Sequence, residues 1–333
     1  MRIGIDARKI ADFGIGTYIR NLLRELVTLG DDYVAFAPRN APMPDGVEHV
    51  VVDAPHYSAR ELIAVGRAAD RARLDLFHAP HYVAPLTRVP LVVTVHDLIH
   101  LRHPNPLARL YARTMIGRAV RKARRVLTVS ETVKHEIEQV FGVEGVVVTP
   151  NGCDHIELAV GGWPLADGTS ANGQLPTATY FLFVGNDKSH KNVDVAVEAA
   201  RRAGVELVLA GAPFARFGGR GFVSDRELAL LYRGAVALVM PSREEGFGLP
   251  ALEAMRCGTA VITSTAAALV EVTGDAALHV PPNADALAEA MSRLVRDPSL
   301  RASLVARGDA RAREFTWRRC AERTRRAYFE LSF

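Results

Sequence analysis

Short apolar runs without a polar break alternate along this chain with longer stretches whose apolar positions recur at helical spacing. In the first half the runs at 2–6, 34–37, 49–53, 74–77, 91–95, 126–130 and 146–149 predict strands, and the stretches 15–29, 59–73, 106–125 and 131–141 predict helices. Strands that are apolar throughout are covered on both faces, which implies a parallel sheet between helical layers. From 155 to 179 the periodicity lapses into Gly, Pro, Ser, Thr and Ala, the composition of an interdomain connection with a loop. At Tyr180 the alternation resumes, with strands over 180–184, 205–210, 235–240, 260–264 and 277–280 and a helical tail beyond Ala284. The fold class is therefore α/β: two Rossmann-like, doubly wound parallel-sheet domains, 1–154 and 180–314, facing a cleft. Ligands of such sheets bind at the carboxyl ends of the strands.

Length agrees, because 333 residues exceed what one core comfortably serves. With 49% hydrophobic and 23% charged residues the composition is that of a soluble globular protein. No run approaches the roughly 18 apolar residues of a membrane span, and the N-terminus enters a strand pattern without a signal-peptide layout. A cytoplasmic protein is expected. Cys153, Cys257 and Cys320 are far apart and form no CxxC, so neither a disulfide framework nor a zinc site is expected. The net charge of +4 lies wholly in the first half, where residues 1–150 hold 20 Lys and Arg against 16 Asp and Glu, and the remainder holds 21 of each. Much of it falls in one helical stretch, where Arg109, Arg113, Arg118, Arg121, Lys122, Arg124 and Arg125 accompany Leu107, Leu110, Tyr111, Met115, Ala119 and Val120. This reads first as a surface helix with one solvated face; a basic amphipathic helix can also lie against anionic lipid. Nothing resembles a nucleic-acid module, and no nucleic-acid partner is expected.

The richest segment for chemistry runs from Pro241 to Met255. An apolar strand ends in Pro241-Ser242-Arg243-Glu244-Glu245-Gly246-Phe247-Gly248, and a helix opens at Leu249-Pro250 with Glu253 in its second turn. Gly246 and Gly248 let backbone approach a ligand, the first helical amides point outward unpaired, and Glu245 and Glu253 supply acceptors. Carboxylates beside amide donors suit a polyhydroxylated anion such as a sugar nucleotide. Read singly, Glu253 is a solvated helix residue and Glu245 a capping charge; the whole string favours the ligand.

Other strand ends offer supporting groups. Gly185-Asn186-Asp187-Lys188-Ser189-His190-Lys191-Asn192 joins a strand to a helix, and its lysines and helix start favour a diphosphate. Gly14 and Gly16 lie between the first strand and first helix, where backbone amides could meet a phosphate or a sugar. His96 ends the strand 91–95, a place for a cleft residue or for a hydrogen-bonded structural histidine. No two aspartates have DxD spacing, so no metal is expected, and Lys and helix ends must neutralise any diphosphate.

With these pieces in place the chain resembles the retaining, nucleotide-sugar-dependent glycosyltransferases of the GT-B fold. This is the large "group 1", family four class that includes bacterial mannosyltransferases and is related to glycogen synthases. The likeness runs from Ile5-Asp6-Ala7-Arg8 and Gly14-Ile15-Gly16-Thr17 through Thr94-Val95-His96-Asp97, Pro150-Asn151-Gly152-Cys153-Asp154 and the Gly185 loop. It continues to the Glu-x7-Glu block at Glu245 and Glu253 and to Phe315-Thr316-Trp317, which look like the family's return of residues 315–333 to the first domain. The resemblance implies that Glu253 accepts hydrogen bonds from the nucleotide ribose and that Glu245 contacts donor-sugar hydroxyls. Gly246 and the amides of Phe247, Gly248 and Leu249 would hold sugar and phosphate. Lys191 and Lys188 would neutralise the diphosphate, with Asn186 where many relatives carry Arg. His96 would contact the donor sugar, and Gly14 and Gly16 would approach phosphate or acceptor. The implied reaction is retaining transfer of a hexose, by subfamily likeness mannose from GDP-mannose, to a glycan or lipid-linked acceptor in polysaccharide assembly, without cofactor or metal. A nucleotide-sugar epimerase on the same fold and a non-catalytic nucleotide- or glycan-binding module are the alternatives. A lipid-linked acceptor would give the basic helix a peripheral role at the inner membrane surface.

Overall fold

A computed structural model of the chain describes residues 1–54, 59–159, 180–211, 214 and 216–331. These form two compact units, Met1–Asn151 with Trp317–Phe333, and Gly152–Thr316.

The first unit holds β1 (Arg2–Asp6), β2 (Asp32–Ala37), β3 (Glu48–Val51), β4 (Leu76–Ala79), β5 (Leu91–Val95), β6 (Arg125–Thr128) and β7 (Val147–Val148). They make one parallel sheet in the order β3-β2-β1-β4-β5-β6-β7. Helices α1 (Ile15–Val27), α2 (Ala59–Arg71), α3 (Pro106–Lys122) and α4 (Glu131–Phe141) cover it. The apolar strands feed two cores by simple alternation. In β2, Tyr33, Ala35 and Ala37 join Ile3, Ile5 and Leu23 on one face, while Val34 and Phe36 join Phe77, Val93 and Ile116 on the other. Helix starts follow local capping chemistry: Asn105 accepts from the Leu107 amide at 2.9 Å ahead of α3, and Ser130 from Val133 at 3.2 Å ahead of α4.

The apolar run 74–77 predicts a strand two residues earlier than β4, which spans Leu76–Ala79. His78 carries it on despite its polarity, because its ring is fully buried between Thr94 Oγ1 at 2.8 Å and Tyr328 Oη at 2.7 Å. On α3, Ala112, Ile116, Ala119 and Val120 face inward, whereas Leu107, Leu110 and Tyr111 are 75%, 62% and 44% exposed. Arg118 is tied to the Ala84 carbonyl, and Lys122 to those of Pro85 and Thr87. Among the described residues no helix is long and apolar enough to cross a membrane.

The second unit opens with α5 (His155–Leu158), so this stretch is folded where the composition suggested a connection; residues 160–179 of that stretch lie outside the described residues. Its strands are β8 (Tyr180–Gly185), β9 (Glu206–Gly211), β10 (Ala235–Met240), β11 (Ala260–Ser264) and β12 (Leu278–Val280), parallel in the order β12-β11-β10-β8-β9. Helices α6 (Val193–Ala203), α7 (Asp225–Gly234), α8 (Leu249–Arg256), α9 (Ala267–Thr273), α10 (Ala284–Arg296) and α11 (Pro298–Ala312) surround it. The last helix, α12 (Trp317–Phe329), belongs to the first unit, where Trp317, Ala321, Ala327 and Tyr328 complete the core around α1.

Each sheet has one place where consecutive strands depart to opposite sides: between β1 and β4 in the first unit, and between β8 and β10 in the second. At such a switch point the outgoing loops diverge and leave a crevice at the strands' carboxyl ends.

Candidate active site

The second unit's switch point gathers most of the residues singled out from the sequence. Beyond β8, Asn186 Oδ1 accepts from the Lys188 amide at 3.2 Å, a local turn that leaves the Lys188 side chain exposed. Lys191 follows in a single 3-10 turn, and Asn192, in the left-handed region at φ 59°, starts α6. The loop is then fastened to its neighbour beyond β10. Asn192 Nδ2 donates to the Pro241 carbonyl at 3.1 Å, the Arg243 amide donates to the His190 carbonyl at 2.8 Å, and Lys191 Nζ donates to Glu245 Oε1 at 2.7 Å. The Glu245 side chain is only 8% exposed, so its charge is neutralised by the ammonium beside it.

Gly248 then turns the chain into α8 at φ 93°, a left-handed backbone conformation that favours glycine. Pro250 occupies the first turn, and no side chain caps the helix start. Its amides and the positive end of its dipole face the switch point beside Lys191 and Glu245. Phe247 is buried with its ring edge against Phe315, centroids 5.8 Å apart, which fixes the backbone between Gly246 and Gly248.

One turn into α8, Glu253 sits with a side chain 6% exposed. Its Oε2 accepts from Tyr232 Oη at 2.8 Å, and its Oε1 lies 3.2 Å from Nε2 of His155 on α5. Burial, and then the carboxylate itself, push the Tyr232 phenol well above its ordinary range, so it remains a donor. Neither signature glutamate projects into bulk solvent. Tyr232 and His155 went unnoticed in the sequence, since partners 21 and 98 positions from Glu253 leave no local spacing.

His96, Gly14 and Gly16 belong to the first unit. His96 follows β5, donates through Nε2 to the Pro80 carbonyl at 3.0 Å and meets the Tyr18 ring edge-on at 4.7 Å. Burial lowers its pKa, only partly offset by that hydrogen bond and by Asp97, so it is a neutral ring with Nδ1 as acceptor. Gly14 is exposed at φ 74° ahead of α1. Gly16 is buried, and a Cβ there would lie 2.6 Å from the Ile10 carbonyl oxygen; its bareness serves the chain's own loop.

At this unit's switch point the chain supplies its own charges. Arg8 grips Asp6 through Nε at 2.8 Å and Nη2 at 2.6 Å, Nη2 also meets Glu61 at 2.7 Å, and His81 Nε2 lies 3.2 Å from Asp6. Burial alone would raise the Asp6 carboxyl, but His81 and Arg8 outweigh it and hold the group well below the usual carboxylate range. All three cysteines are buried as free thiols. Cys153 donates to the Ala312 and Phe315 carbonyls, both at 3.4 Å, which ties the start of the second unit to its end. Among the described residues no three His, Cys, Asp or Glu side chains converge as a metal site would require.

Two parallel-sheet α/β units, with an acid-bearing, glycine-flanked loop at the second switch point, define the class as GT-B glycosyltransferases. Residues 14–156 match the family model "Glycosyltransferase Family 4", and residues 170–311 match "Glycosyl transferases group 1". The O-antigen chain mannosyltransferase B of Escherichia coli is 31% identical over 76% of this chain and 74% of its own. The D-inositol 3-phosphate glycosyltransferase of Kineococcus radiotolerans is 28% identical over 82% and 75%. In fold, the chain is similar to sucrose-phosphate synthase from Thermosynechococcus elongatus (TM-score 0.83, 22% identity, 99% of each chain). It is also similar to the Anabaena protein HepE solved in complex with UDP and glucose (TM-score 0.77, 18% identity, 99% of this chain and 100% of that one). The chain belongs to the group 1, family four glycosyltransferases, and it is a glycosyltransferase of glycan biosynthesis.

Proposed function

We propose that the chain transfers a hexose, mannose from GDP-mannose, to a hydroxyl of a glycan or lipid-linked acceptor with retention at the anomeric carbon. The observation that carries this reading is the Lys191–Glu245 pair stitched across the second switch point beside the uncapped start of α8. A donor's diphosphate laid there meets an ammonium, Lys188 nearby on its exposed turn, and the amides of Phe247, Gly248 and Leu249. Glu245 is placed for donor-sugar hydroxyls and Glu253 for the ribose. The neutral His96 ring offers Nδ1 to a sugar hydroxyl from the first unit, and the Gly14 turn offers backbone amides to phosphate or acceptor.

The transfer breaks the bond from the anomeric carbon to the β-phosphate oxygen and forms one to the acceptor oxygen on the same face. The acceptor proton passes to the leaving phosphate. Negative charge grows on that phosphate during bond breaking, so Lys191, Lys188 and the helix start stabilise the transition state more than the ground state. We assign charge neutralisation to these groups rather than to a metal. Mannosyl transfer is supported by the E. coli relative's name, and a nucleoside diphosphate by the UDP complex of a fold neighbour. We place the enzyme in the cytoplasm, with a lipid-linked acceptor reached by peripheral contact at the inner membrane surface. That contact would use the exposed Leu107, Leu110 and Tyr111 in the stretch 98–130, which contains no Asp or Glu.

A thermal-shift panel of GDP, UDP, ADP and their sugars tests the donor, because a ligand that binds only the folded state raises the melting temperature. GDP and GDP-mannose should give the largest rise; no rise with any nucleotide would remove the donor site. Incubating the stabilising sugar nucleotide without acceptor should leave its sugar unchanged, whereas a new nucleotide sugar would make the enzyme an epimerase. A product of inverted anomeric configuration would end the retaining assignment.

A further inference from the structure

We propose that Tyr232 and His155 are positioning residues that preset the Glu253 carboxylate for both hydroxyls of a ribose, making the site selective for ribonucleotides over deoxyribonucleotides. The inference rests on the reading of Glu253 as the ribose acceptor. A carboxylate has about four acceptor directions, two on each oxygen. In this chain each oxygen already has one buried protein group upon it, Tyr232 Oη at 2.8 Å on Oε2 and His155 Nε2 at 3.2 Å on Oε1. One direction per oxygen is left, which matches one hydroxyl each of a vicinal diol.

The arrangement is stiff. Tyr232 is fully buried on α7, and its carbonyl accepts from Thr259 Oγ1 at 2.6 Å. His155 is held on α5, whose Glu157 is gripped by Arg256 of α8, the helix that carries Glu253. Three helices therefore fix one carboxylate plane. A lone surface glutamate would have to surrender side-chain freedom on binding, whereas here that ordering is completed in folding. Among the described residues no lysine or arginine is bonded to Glu253, so its oxygens keep acceptor capacity for hydroxyl donors.

The test measures affinity of the full chain by calorimetry for GDP, UDP and their 2′-deoxy counterparts, taking the ribo-to-deoxy ratio as the readout. Wild type should prefer the ribonucleotide by about tenfold or more, the worth of one hydrogen bond to a charged group. Glu253→Gln should bring the ratio near one. Tyr232→Phe and His155→Leu should each lower it at least threefold, and His155→Gln, which keeps a donor, should restore most of it. A merely structural role would lower both affinities together and leave the ratio unchanged. A full ratio in both Tyr232→Phe and His155→Leu would overturn the inference while Glu253 keeps its assignment. A wild type without preference would remove the ribose reading and the inference with it. Should Tyr232→Phe fail to fold, the His155 pair decides alone.

Discussion

The two sheets carry equivalent switch points and use them in opposite ways. Between β1 and β4 the chain fills the crevice itself: Arg8 forks onto Asp6, meets Glu61, and His81 closes the set. Between β8 and β10 the acids meet one ammonium, one phenol and one imidazole, and a helix start stands beside them without a side-chain cap. Paired ions packed in apolar surroundings hold each other and have little left for a ligand. Glu253, held by a hydroxyl and an imidazole, keeps acceptor capacity, and Glu245 shares its single ammonium with an uncapped helix start. The same topology therefore yields a stabilising knot in one unit and a receptive surface in the other.

The largest effect that could break this contrast is on folding of the first unit. Arg8→Leu leaves Asp6 and Glu61 buried without their cation, which should cost about 3–5 kcal/mol. Denaturant unfolding should show the loss in the first unit's transition, with nucleotide affinity of the folded protein unchanged. Affinity falling in step with stability would merge the two roles. The converse change is Lys191→Ala, which should weaken nucleoside diphosphate binding by about ten- to a hundredfold. The Lys191–Glu245 pair is mostly buried but has no second ion paired with it among the described residues, so its loss should cost less stability than Arg8→Leu, on the order of 1–2 kcal/mol. A melting temperature that collapsed instead would make the pair a second knot.

A smaller, pH-dependent effect sharpens the picture of the first unit. Burial, with His96 and His81 nearby, holds the His78 pKa down to about 3. In the unfolded chain it is about 6.5, so between these values the unfolded state binds a proton that the folded state refuses. Stability should thus fall as pH drops from about 6.5 toward 3, by on the order of 1–2 kcal/mol at pH 5. The Asp6 contribution has the opposite origin: its depressed pKa stabilises above an unfolded value of about 3.9 and is lost only at lower pH. Comparing unfolding at pH 7 and pH 5 reads the buried histidines His78 and His96 together, and His78→Gln should remove the larger share of the difference; a slope as steep as wild type would exclude His78. The least effect lies on the solvated side of α3. Leu107→Asp with Leu110→Asp should reduce co-sedimentation with anionic vesicles severalfold, on the order of 1 kcal/mol, without touching nucleotide affinity. Unchanged sedimentation, or binding indifferent to anionic lipid, would remove the membrane contact.

What could be read from sequence follows physical range. The strands of both sheets were visible because covering on both faces demands uninterrupted apolar runs, and the turn at Gly248 because a glycine between an apolar strand and Leu249-Pro250 marks a positive-φ entry to a helix, found at φ 93°. The family block was visible for the same local reason: strand, glycine, proline and acid follow one another within fifteen residues from Pro241 to Met255. What escaped notice was settled through space. His78 extends β4 because Thr94 and Tyr328 satisfy its ring, partners that no local spacing announces, and α5 is too short for periodicity to register. Asp6 and Arg8 were seen only as part of a motif, since Glu61 and His81 reach them from other elements. The Cys153 thiol bonds carbonyls more than 150 residues away, a contact that the spacing of the cysteines could not show.

Because α12 supplies Trp317, Ala321, Ala327 and Tyr328 to the core laid down by β1 and α1, the first unit is completed by a helix that is translated after the second unit. During translation, residues 1–151 emerge without the side chains of α12 and with His78 lacking its phenol partner, while β8 to β12 of the second sheet all lie within 152–316. Synthesis thus delivers every strand of the second sheet before the helix that closes the first, and a chain stopped ahead of Trp317 would keep an open seam in its first unit.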